Sequence, residues 1–196
     1  MMIQVGVTGG IGSGKTLVCK VFEKLGIPVY HADLEARRLM EEDQALMERI
    51  VELFGEEAYL GGALNRRYLA ASVFGNSERL GDLNALVHPV VRKDYERWLD
   101  EQTGVPYVVE EAAILYESGA SRWMDLVVMV YAPERLRISR VMARDGVEEK
   151  TIRKRMTYQL DDEEKKARAD LIIVNDEKER LLPQILEVHR QILKRI

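Results

Sequence analysis

The chain has 196 residues, of which 46% are hydrophobic and 32% are charged, and its formal net charge is −4. These values are typical of one globular α/β domain, and the acidic balance argues against nucleic acid as a partner. No apolar run reaches the ~20 residues that span a bilayer, so we expect no membrane partner. The first strand starts at the N-terminus without a signal peptide, and Cys19 has no second cysteine for a disulfide. We therefore expect a cytoplasmic protein.

A glycine-rich stretch near the N-terminus fits the phosphate-binding pattern G-x-x-x-x-G-K-[ST]. An apolar strand at Ile3–Thr8 precedes it, and a helical apolar face (Val18, Val21, Phe22, Leu25) follows it up to Gly26 and Pro28. A glycine-rich turn without a ligand is the alternative, but strand, loop and helix stand in the order that a P-loop needs. The phosphate-binding candidates are Gly10, Ile11, Gly12, Ser13, Gly14, Lys15 and Thr16, with Lys15 reaching the outer phosphates and Thr16 ligating Mg²⁺.

A second short strand, Ile27–His31, follows the first helix, and Asp33 comes directly after it. Ligands of open α/β sheets bind beyond the carboxyl ends of the strands, so Asp33 is expected to face the phosphate site. It is then either a general base for an acceptor hydroxyl or a ligand of Mg²⁺-bound water. The alternative is an N-cap for a helix that starts near Leu34. Position alone leaves these interpretations open.

Residues 34–104 show helical periodicity and no clear strand. Asn65 is a predicted N-cap for a helix over 66–73, and Gly61 and Gly62 are predicted to lie in a loop. Pro89 is expected to kink a helix or to start a new one after His88. We interpret this region as an inserted helical part that holds a second substrate.

The rest of the chain returns to strands. Val105–Val109 is the predicted third strand, followed by Glu110 and Glu111, and Glu111 resembles the Walker B carboxylate that helps to hold Mg²⁺. A charge in a solvated loop is the alternative for Glu111. Apolar runs predict two more strands at 126–131 and 171–174, and a terminal helix is expected over 177–196.

An arginine-rich stretch lies between the last two strands. Arg137, Arg140 and Arg144 are spaced i, i+3 and i+7, which places them on one helix face. Each side chain considered alone is best read as part of a solvated face, balanced by nearby acidic residues. Phosphoryl transfer, however, needs cations near the γ-phosphate, preferably on a mobile element. The cluster as a whole therefore predicts a phosphate-binding lid.

Several segments together resemble the dephospho-coenzyme A kinase family over nearly the whole chain. The matching segments are Thr8–Thr16, His31–Arg37, Leu64–Arg66, Leu83–Pro89, Glu111–Glu117, Arg140, Arg144–Gly146, Arg155–Gln159 and Ala169–Asn175. His31 departs from the pattern, because an aspartate is frequent there. The resemblance implies a five-stranded parallel sheet flanked by helices and transfer of the ATP γ-phosphoryl group to the ribose 3′-hydroxyl of dephospho-CoA.

The resemblance also implies roles for individual residues. Catalytic roles fall to Asp33, Lys15 and Arg140; nucleotide binding extends to Arg144 and Asn175; acceptor binding involves Asp33, Arg66, His88 and Leu115; Mg²⁺ is held by Thr16 and Glu111. His88 is assigned to the structure of the acceptor side, without proton transfer. The expected organisation is one P-loop kinase domain with a nucleotide core (1–33, 105–139, 169–196), an insertion (34–104) and a lid (140–168), as a monomer or small homo-oligomer.

Two other functions fit parts of the pattern. Another small-molecule or nucleotide P-loop kinase would share Lys15, Thr16 and the lid but would need a different acceptor pocket. A nucleotide-dependent switch protein is disfavoured, because Asn175–Lys178 is not the guanine signature N-K-x-D and no D-x-x-G segment occurs. Preference for ATP over GTP would separate the kinases from the switch.

Overall fold

The computed structural model describes residues 2–195. The chain divides into two compact units, one made of residues 1–31 and 102–196 and the other of residues 32–101. None of the helices within residues 2–195 is both long enough and apolar enough to cross a membrane.

The first unit is built on a five-stranded sheet. Its strands are β1 (Ile3–Thr8), β2 (Val29–His31), β5 (Tyr107–Glu111), β6 (Leu126–Tyr131) and β7 (Leu171–Val174), in the order β2-β5-β1-β6-β7. Every pairing is parallel. This confirms the predicted five-stranded parallel sheet. β1 is central, and the strand order reverses beside it, so the loop after β1 lies where ligands of open α/β sheets bind.

Within residues 2–195, the α-helices of this unit are α1 (Lys15–Lys24), α6 (Glu134–Asp145), α7 (Glu149–Met156), α8 (Asp162–Arg168) and α9 (Leu181–Leu193). α1 ends as the sequence predicts, because Gly26 adopts φ +81° and Ile27 N–H donates to the Phe22 carbonyl at 3.0 Å. This pattern is a Schellman motif, which satisfies carbonyls at the helix end. The terminal helix begins at Leu181, four residues later than expected from the sequence.

The core of this unit lies between the sheet and two of its helices. Apolar strand residues such as Val5, Val7 and Val128 are fully buried, and Phe22 of α1 and Ile185 of α9 pack into the same cluster. β5 is buried along its whole length and includes Glu110 and Glu111, which were expected to follow the strand. The acidic side chains therefore sit on the strand itself, where the backbone fixes their direction.

The second unit is mainly helical. It contains α2 (Ala32–Glu42), α3 (Gln44–Phe54), α4 (Arg66–Val73) and α5 (Ser77–Asp100), with the strands β3 (Tyr59–Leu60) and β4 (Ala63–Leu64) between α3 and α4. Its core includes Leu46, Ile50, Phe54, Leu69 and Val87. The Asn65 cap is confirmed, since its side chain accepts from Tyr68 N–H at 3.1 Å.

One expectation for this unit was wrong, and one of the two alternatives for Pro89 is excluded. Residues 34–104 do contain strands, because β3 and β4 form a small antiparallel hairpin around Gly61 and Gly62. Both glycines have positive φ, as a two-residue hairpin turn requires. Pro89 does not begin a new helix, because α5 runs through it from Ser77 to Asp100. The flanking turns of this long helix outweigh the one hydrogen bond that proline removes.

Candidate active site

The loop between β1 and α1 has the conformation of a phosphate cradle. Gly12 and Gly14 adopt φ values of +80° and +97°, which residues with a Cβ rarely adopt. A turn closes the loop, because Ser13 N–H donates to the Gly10 carbonyl at 3.0 Å. α1 then begins at Lys15 without a side-chain cap. Its N-terminus therefore offers backbone N–H groups and partial positive charge to an anion.

Polar side chains around the loop are buried and incompletely satisfied. Lys15 is 8% exposed, and its Nζ donates to the Gly9 carbonyl at 3.0 Å. The hydroxyls of Thr8 and Ser13 are buried without a hydrogen-bond partner among the described residues. Buried polar atoms of this kind are costly unless something binds them. A phosphate group at the loop supplies acceptors for these hydroxyls and a negative charge for the Lys15 ammonium.

Thr16 and Glu111 meet beside the loop. The Thr16 hydroxyl donates to Glu111 Oε1 at 3.1 Å, and Glu111 Oε2 lies 2.5 Å from His31 Nδ1. Burial alone would raise the pKa of Glu111, but the bond from His31 and the charge of Lys15 outweigh it and lower that pKa. The bond to Glu111 in turn raises the pKa of His31. Glu111 is therefore a carboxylate at neutral pH.

The Thr16–Glu111 pair fits one side of a Mg²⁺ site. Both groups are hard oxygen ligands, and their oxygens are close enough to share one cation. The described residues contain no cluster of three or more His, Cys, Asp or Glu side chains suited to a metal. Mg²⁺ is commonly held in phosphotransferases by one or two protein oxygens, with phosphates and water completing its shell. The residues present therefore fit a cation carried in with a nucleotide.

The three arginines of the predicted cluster on α6, Arg137, Arg140 and Arg144, do not share one environment. Arg137 is 4% exposed and pairs with Asp162 at 2.5 Å, so it is no part of a solvated face. Arg140 Nη2 donates to the Asn175 carbonyl at 3.1 Å and contacts Glu177 at 3.0 Å. Arg144 is largely exposed and pairs with its neighbour Asp145. The structure thus separates Arg144 from the other two.

Asn175, which follows β7, lies against the phosphate loop. Its Nδ2 donates to the Ser13 carbonyl at 2.8 Å, and a Cβ added to Gly14 would come within 2.2 Å of the same nitrogen. Arg140 reaches the loop through this residue, while its Nη1 is buried without a hydrogen-bond partner among residues 2–195. The structure therefore brings together the phosphate loop, Asn175 and Arg140.

Two contacts to the loop were missed by sequence reasoning. Gln159 Oε1 accepts from Ile11 N–H at 2.9 Å, and Arg137 Nη1 donates to the Ile11 carbonyl at 3.4 Å. Both polar groups of Ile11 are thus held by side chains from the arginine-rich region. Gln159 lies in the segment 155–159 that supports the family resemblance, but nothing in its spacing indicates a partner.

Three candidate residues, Asp33, Arg66 and His88, lie in the second unit. Asp33 is the second residue of α2 and is exposed. The N-cap interpretation was therefore wrong, because an N-cap precedes the helix. Arg66 is the first residue of α4 and pairs with Glu41 at 3.1 Å. His88 lies inside α5, where burial lowers its pKa.

Leu115 does not have the surface expected of an acceptor-binding residue. Its side chain is fully buried, and a Cβ added to Gly6 of β1 would meet Leu115 Cδ2 at 2.5 Å. Leu115 therefore covers the central strand. Leu115 has no exposed surface in the structure, and its assignment to the acceptor site stays a prediction.

A parallel sheet with a P-loop after its central strand, a loop lysine, and a paired threonine and carboxylate define a nucleotide-binding protein of the P-loop class. The family model described as CoaE, dephospho-CoA kinase, matches residues 3–180. The dephospho-CoA kinase of Salinibacter ruber is 48% identical over 180 residues, covering 89% of each chain. The chain belongs to the dephospho-CoA kinase family.

Two solved structures are similar along the full length of the chain. TT1252 from Thermus thermophilus gives a TM-score of 0.85 at 35% identity, covering 100% of this chain and 98% of that one. The dephospho-CoA kinase from Campylobacter jejuni gives a TM-score of 0.69 at 27% identity, covering 99% and 98%. The similarity therefore extends beyond the P-loop to both units of the chain.

Proposed function

We propose that this chain transfers the γ-phosphoryl group of ATP to the ribose 3′-hydroxyl of dephospho-CoA, giving CoA and ADP. The observation that carries the proposal is a formed phosphate loop, with Lys15, Thr16 and Glu111 around it, in a chain of this family. A cytosolic location belongs to the same proposal, since the single cysteine is a free buried thiol.

The loop residues bind and orient the donor in this mechanism. The loop Gly10 to Thr16 and the N-terminus of α1 hold the phosphates through backbone N–H groups other than those of Ile11 and Ser13, which are bonded within the protein. Lys15 turns from the Gly9 carbonyl toward the outer phosphates. Thr16 and Glu111 would hold Mg²⁺, and the bound cation would supply positive charge next to the phosphate oxygens. Holding the donor in a fixed orientation supplies most of the catalysis, because phosphoryl transfer depends on positioning and charge stabilisation.

Arg140 is assigned to neutralise negative charge on the phosphate oxygens. Its unpaired Nη1 N–H groups are available to a phosphate oxygen, while Nη2 stays on the Asn175 carbonyl next to the loop. Arg144 is exposed near the end of α6 and pairs with Asp145, and we assign it an assisting role in nucleotide binding during lid closure. Asn175 holds the loop through the Ser13 carbonyl.

Asp33 is proposed as the base that orients or deprotonates the acceptor hydroxyl. It follows the last residue of β2 by two positions and is exposed in the first turn of α2. Arg66 and His88 are proposed to contribute to acceptor binding, His88 through packing.

An Asp33→Asn variant preserves the shape of the side chain but removes the charge. We expect turnover to fall while Mg·ATP binding is retained, with Asp82→Asn on exposed α5 surface as the control. Unchanged turnover would remove Asp33 from the mechanism.

The reaction is tested by measuring ADP release from Mg·ATP with and without dephospho-CoA, and by the mass of the product. A strong acceptor-dependent rate that yields CoA supports the proposal. ATP binding without stimulation by dephospho-CoA would overturn the acceptor assignment. Other hydroxyl acceptors would then be tested with the same ADP assay, since the donor site would stand.

A further inference from the structure

His31 sits between two carboxylates. Its Nδ1 lies 2.5 Å from Glu111 Oε2, and its Nε2 lies 3.2 Å from Glu23 Oε1. The first contact follows from the sheet, because His31 on β2 is in register with Glu111 on the neighbouring parallel strand β5. The second contact comes from α1. Both ring nitrogens therefore face an acceptor, and the plane of the ring is held from two sides.

The two oxygens of the Glu111 carboxylate have different partners. Oε2 faces His31, and Oε1 receives the hydroxyl of Thr16 at 3.1 Å. A free carboxylate rotates about its last torsion, which is broad. Binding one oxygen to a ring that is itself fixed leaves the other oxygen directed at Thr16. The Nδ1–H exists in the imidazolium and in one neutral tautomer, so the contact does not require a charged ring.

We propose that His31 is a positioning residue that presents Glu111 Oε1, together with Thr16, to the divalent cation that accompanies the nucleotide. The inference rests on the proposed function in one respect, the assignment of Thr16 and Glu111 to that cation. Groups that hydrogen-bond to metal ligands orient them, and removing such a group typically lowers metal affinity about 10–100-fold. The side chains of His31 and Glu111 are only 20% and 10% exposed, so water cannot readily replace the ring.

Replacements of His31 separate its two contacts. The Nδ2 of asparagine can occupy the place of Nδ1, so His31→Asn retains a donor for Glu111. The longer His31→Gln places its amide nearer the position of Nε2, which faces Glu23. His31→Ala removes both contacts. Glu23→Gln is the matched control, because it weakens only the outer contact of the ring and leaves the Glu111 side intact.

The experiment measures Mn²⁺ binding by electron paramagnetic resonance, with the whole protein and a non-hydrolysable ATP analogue. We expect His31→Ala and His31→Gln to raise the Kd for Mn²⁺ about tenfold or more. His31→Asn and Glu23→Gln should stay near wild type. Nucleotide affinity without metal and the Tm should change little in all four variants, which a general structural role would not predict.

Two results would overturn the proposal. One is an unchanged Kd for Mn²⁺ in His31→Ala. The other is a loss in His31→Asn as large as that in His31→Ala, which would mean that the donor to Glu111 is not what matters. If His31→Ala does not fold, His31→Gln takes its place. Equal Kd values for Mn²⁺ in His31→Gln and His31→Asn would then overturn the proposal. No acceptor is present, so a wrong assignment of dephospho-CoA would show only in the ADP assay and would leave this test valid.

Discussion

The side chain of Gln159 accepts a hydrogen bond from the backbone N–H of Ile11, 148 residues earlier in the chain, at 2.9 Å. The arginine-rich region and the phosphate loop are therefore joined directly. Arg137 completes the link by donating to the Ile11 carbonyl. The peptide groups on both sides of Ile11 are thus held by residues that sequence reasoning placed in or next to a lid.

Replacing Gln159 with alanine should loosen this part of the loop. A single hydrogen bond of this kind contributes on the order of 1 kcal/mol, so we expect ATP binding to weaken about fivefold. The fold should be retained, because Gln159 is only partly buried. Isothermal titration with Mg·ATP measures the effect. Thr157→Ala, which removes an exposed hydroxyl two residues away, serves as the control. Equal affinities for wild type and Gln159→Ala would show that the loop does not depend on this contact.

Alanine substitutions at Gly12 and Gly26, which have nearly the same φ, distinguish the cost of backbone strain from the cost of steric crowding. A Cβ at Gly12 would lie 2.5 Å from the carbonyl oxygen of Arg137, whereas a Cβ at Gly26 would meet nothing within 4 Å. The left-handed conformation alone costs a residue with a Cβ about 1–2 kcal/mol, so Gly26→Ala should lower stability by that amount and leave activity unchanged.

Gly12→Ala should show a second effect. The crowded loop has to shift, and a misplacement of the order of 1 Å lowers kcat/KM by about 100-fold. Urea unfolding and steady-state kinetics on both variants measure the two contributions. Similar kinetics for the two alanine variants would contradict the idea that close packing against α6 shapes the loop.

We expect Arg140 to contribute more to kcat than to the stability of the fold. Removing one donor that stabilises transition-state charge typically lowers kcat by about 10²–10³. We expect Arg140→Ala to show a loss of this order, with little change in Tm, because the side chain pairs with the partly exposed Glu177 and one carbonyl. Arg135→Ala, exposed on the same helix, is the control for charge alone. A kcat equal to that of the control would return Arg140 to a structural role.

Much of the nucleotide side could be predicted because its signals are local. The run Ile3–Thr8, the loop glycines and the apolar face of α1 each fix their own backbone conformation, and the Asn65 cap depends on Tyr68 only three residues away. Hydrophobic patterning and capping report on such short-range structure. The five strands were found for the same reason, since each is a short apolar run.

The remaining contacts depend on partners that are distant in sequence. The spacing of Arg137 indicates a helix face but not that Asp162 and Ile11 lie beneath it. Leu115 follows a strand end in a segment rich in apolar residues, and nothing local shows that it covers Gly6. The register of β2 against β5, which joins His31 to Glu111, is likewise set by tertiary packing. Periodicity identifies a face without identifying what packs on it.

A buried ion pair should make the segment before β7 sensitive to mutation. Lys165 is fully buried, and its Nζ lies 3.0 Å from Glu117 Oε1, which also accepts from Leu160 N–H at 2.7 Å. Glu117→Ala would remove the carboxylate that pairs with this buried ammonium and leave it the Ala113 carbonyl as hydrogen-bond acceptor, at a cost of about 3–5 kcal/mol. The exposed pair Arg168–Glu164 offers a control, since Glu164→Ala should cost about 1 kcal/mol or less.

Urea unfolding of the two alanine variants measures the difference. The variant Lys165→Met, which removes the charge and keeps an apolar stem, should restore part of the stability in the Glu117→Ala background. Equal midpoints for Glu117→Ala and Glu164→Ala would mean that the ammonium finds another partner at no cost.

Two histidines should make the protein less stable in mild acid. Burial lowers the pKa of His88 and of His189, whose Nδ1 lies 2.6 Å from the Tyr107 hydroxyl. The folded chain then binds these protons at a lower pH than the unfolded chain does. Their contribution to stability is therefore present above the ordinary pKa of about 6.5 and is lost as the pH falls through the lower folded values. His31, with a raised pKa, contributes with the opposite sign.

The double variant His88→Gln/His189→Gln removes the pH-dependent contribution of these two histidines to stability, because glutamine does not titrate. Unfolding by urea at about pH 7.5 and about pH 5.5 brackets the ordinary histidine pKa. We expect the free energy of unfolding of the wild type to fall more between these two conditions than that of the variant. His31 is present in both proteins, so its opposing contribution cancels in the comparison. An equal or larger fall in the variant would mean that neither histidine is held neutral by the fold.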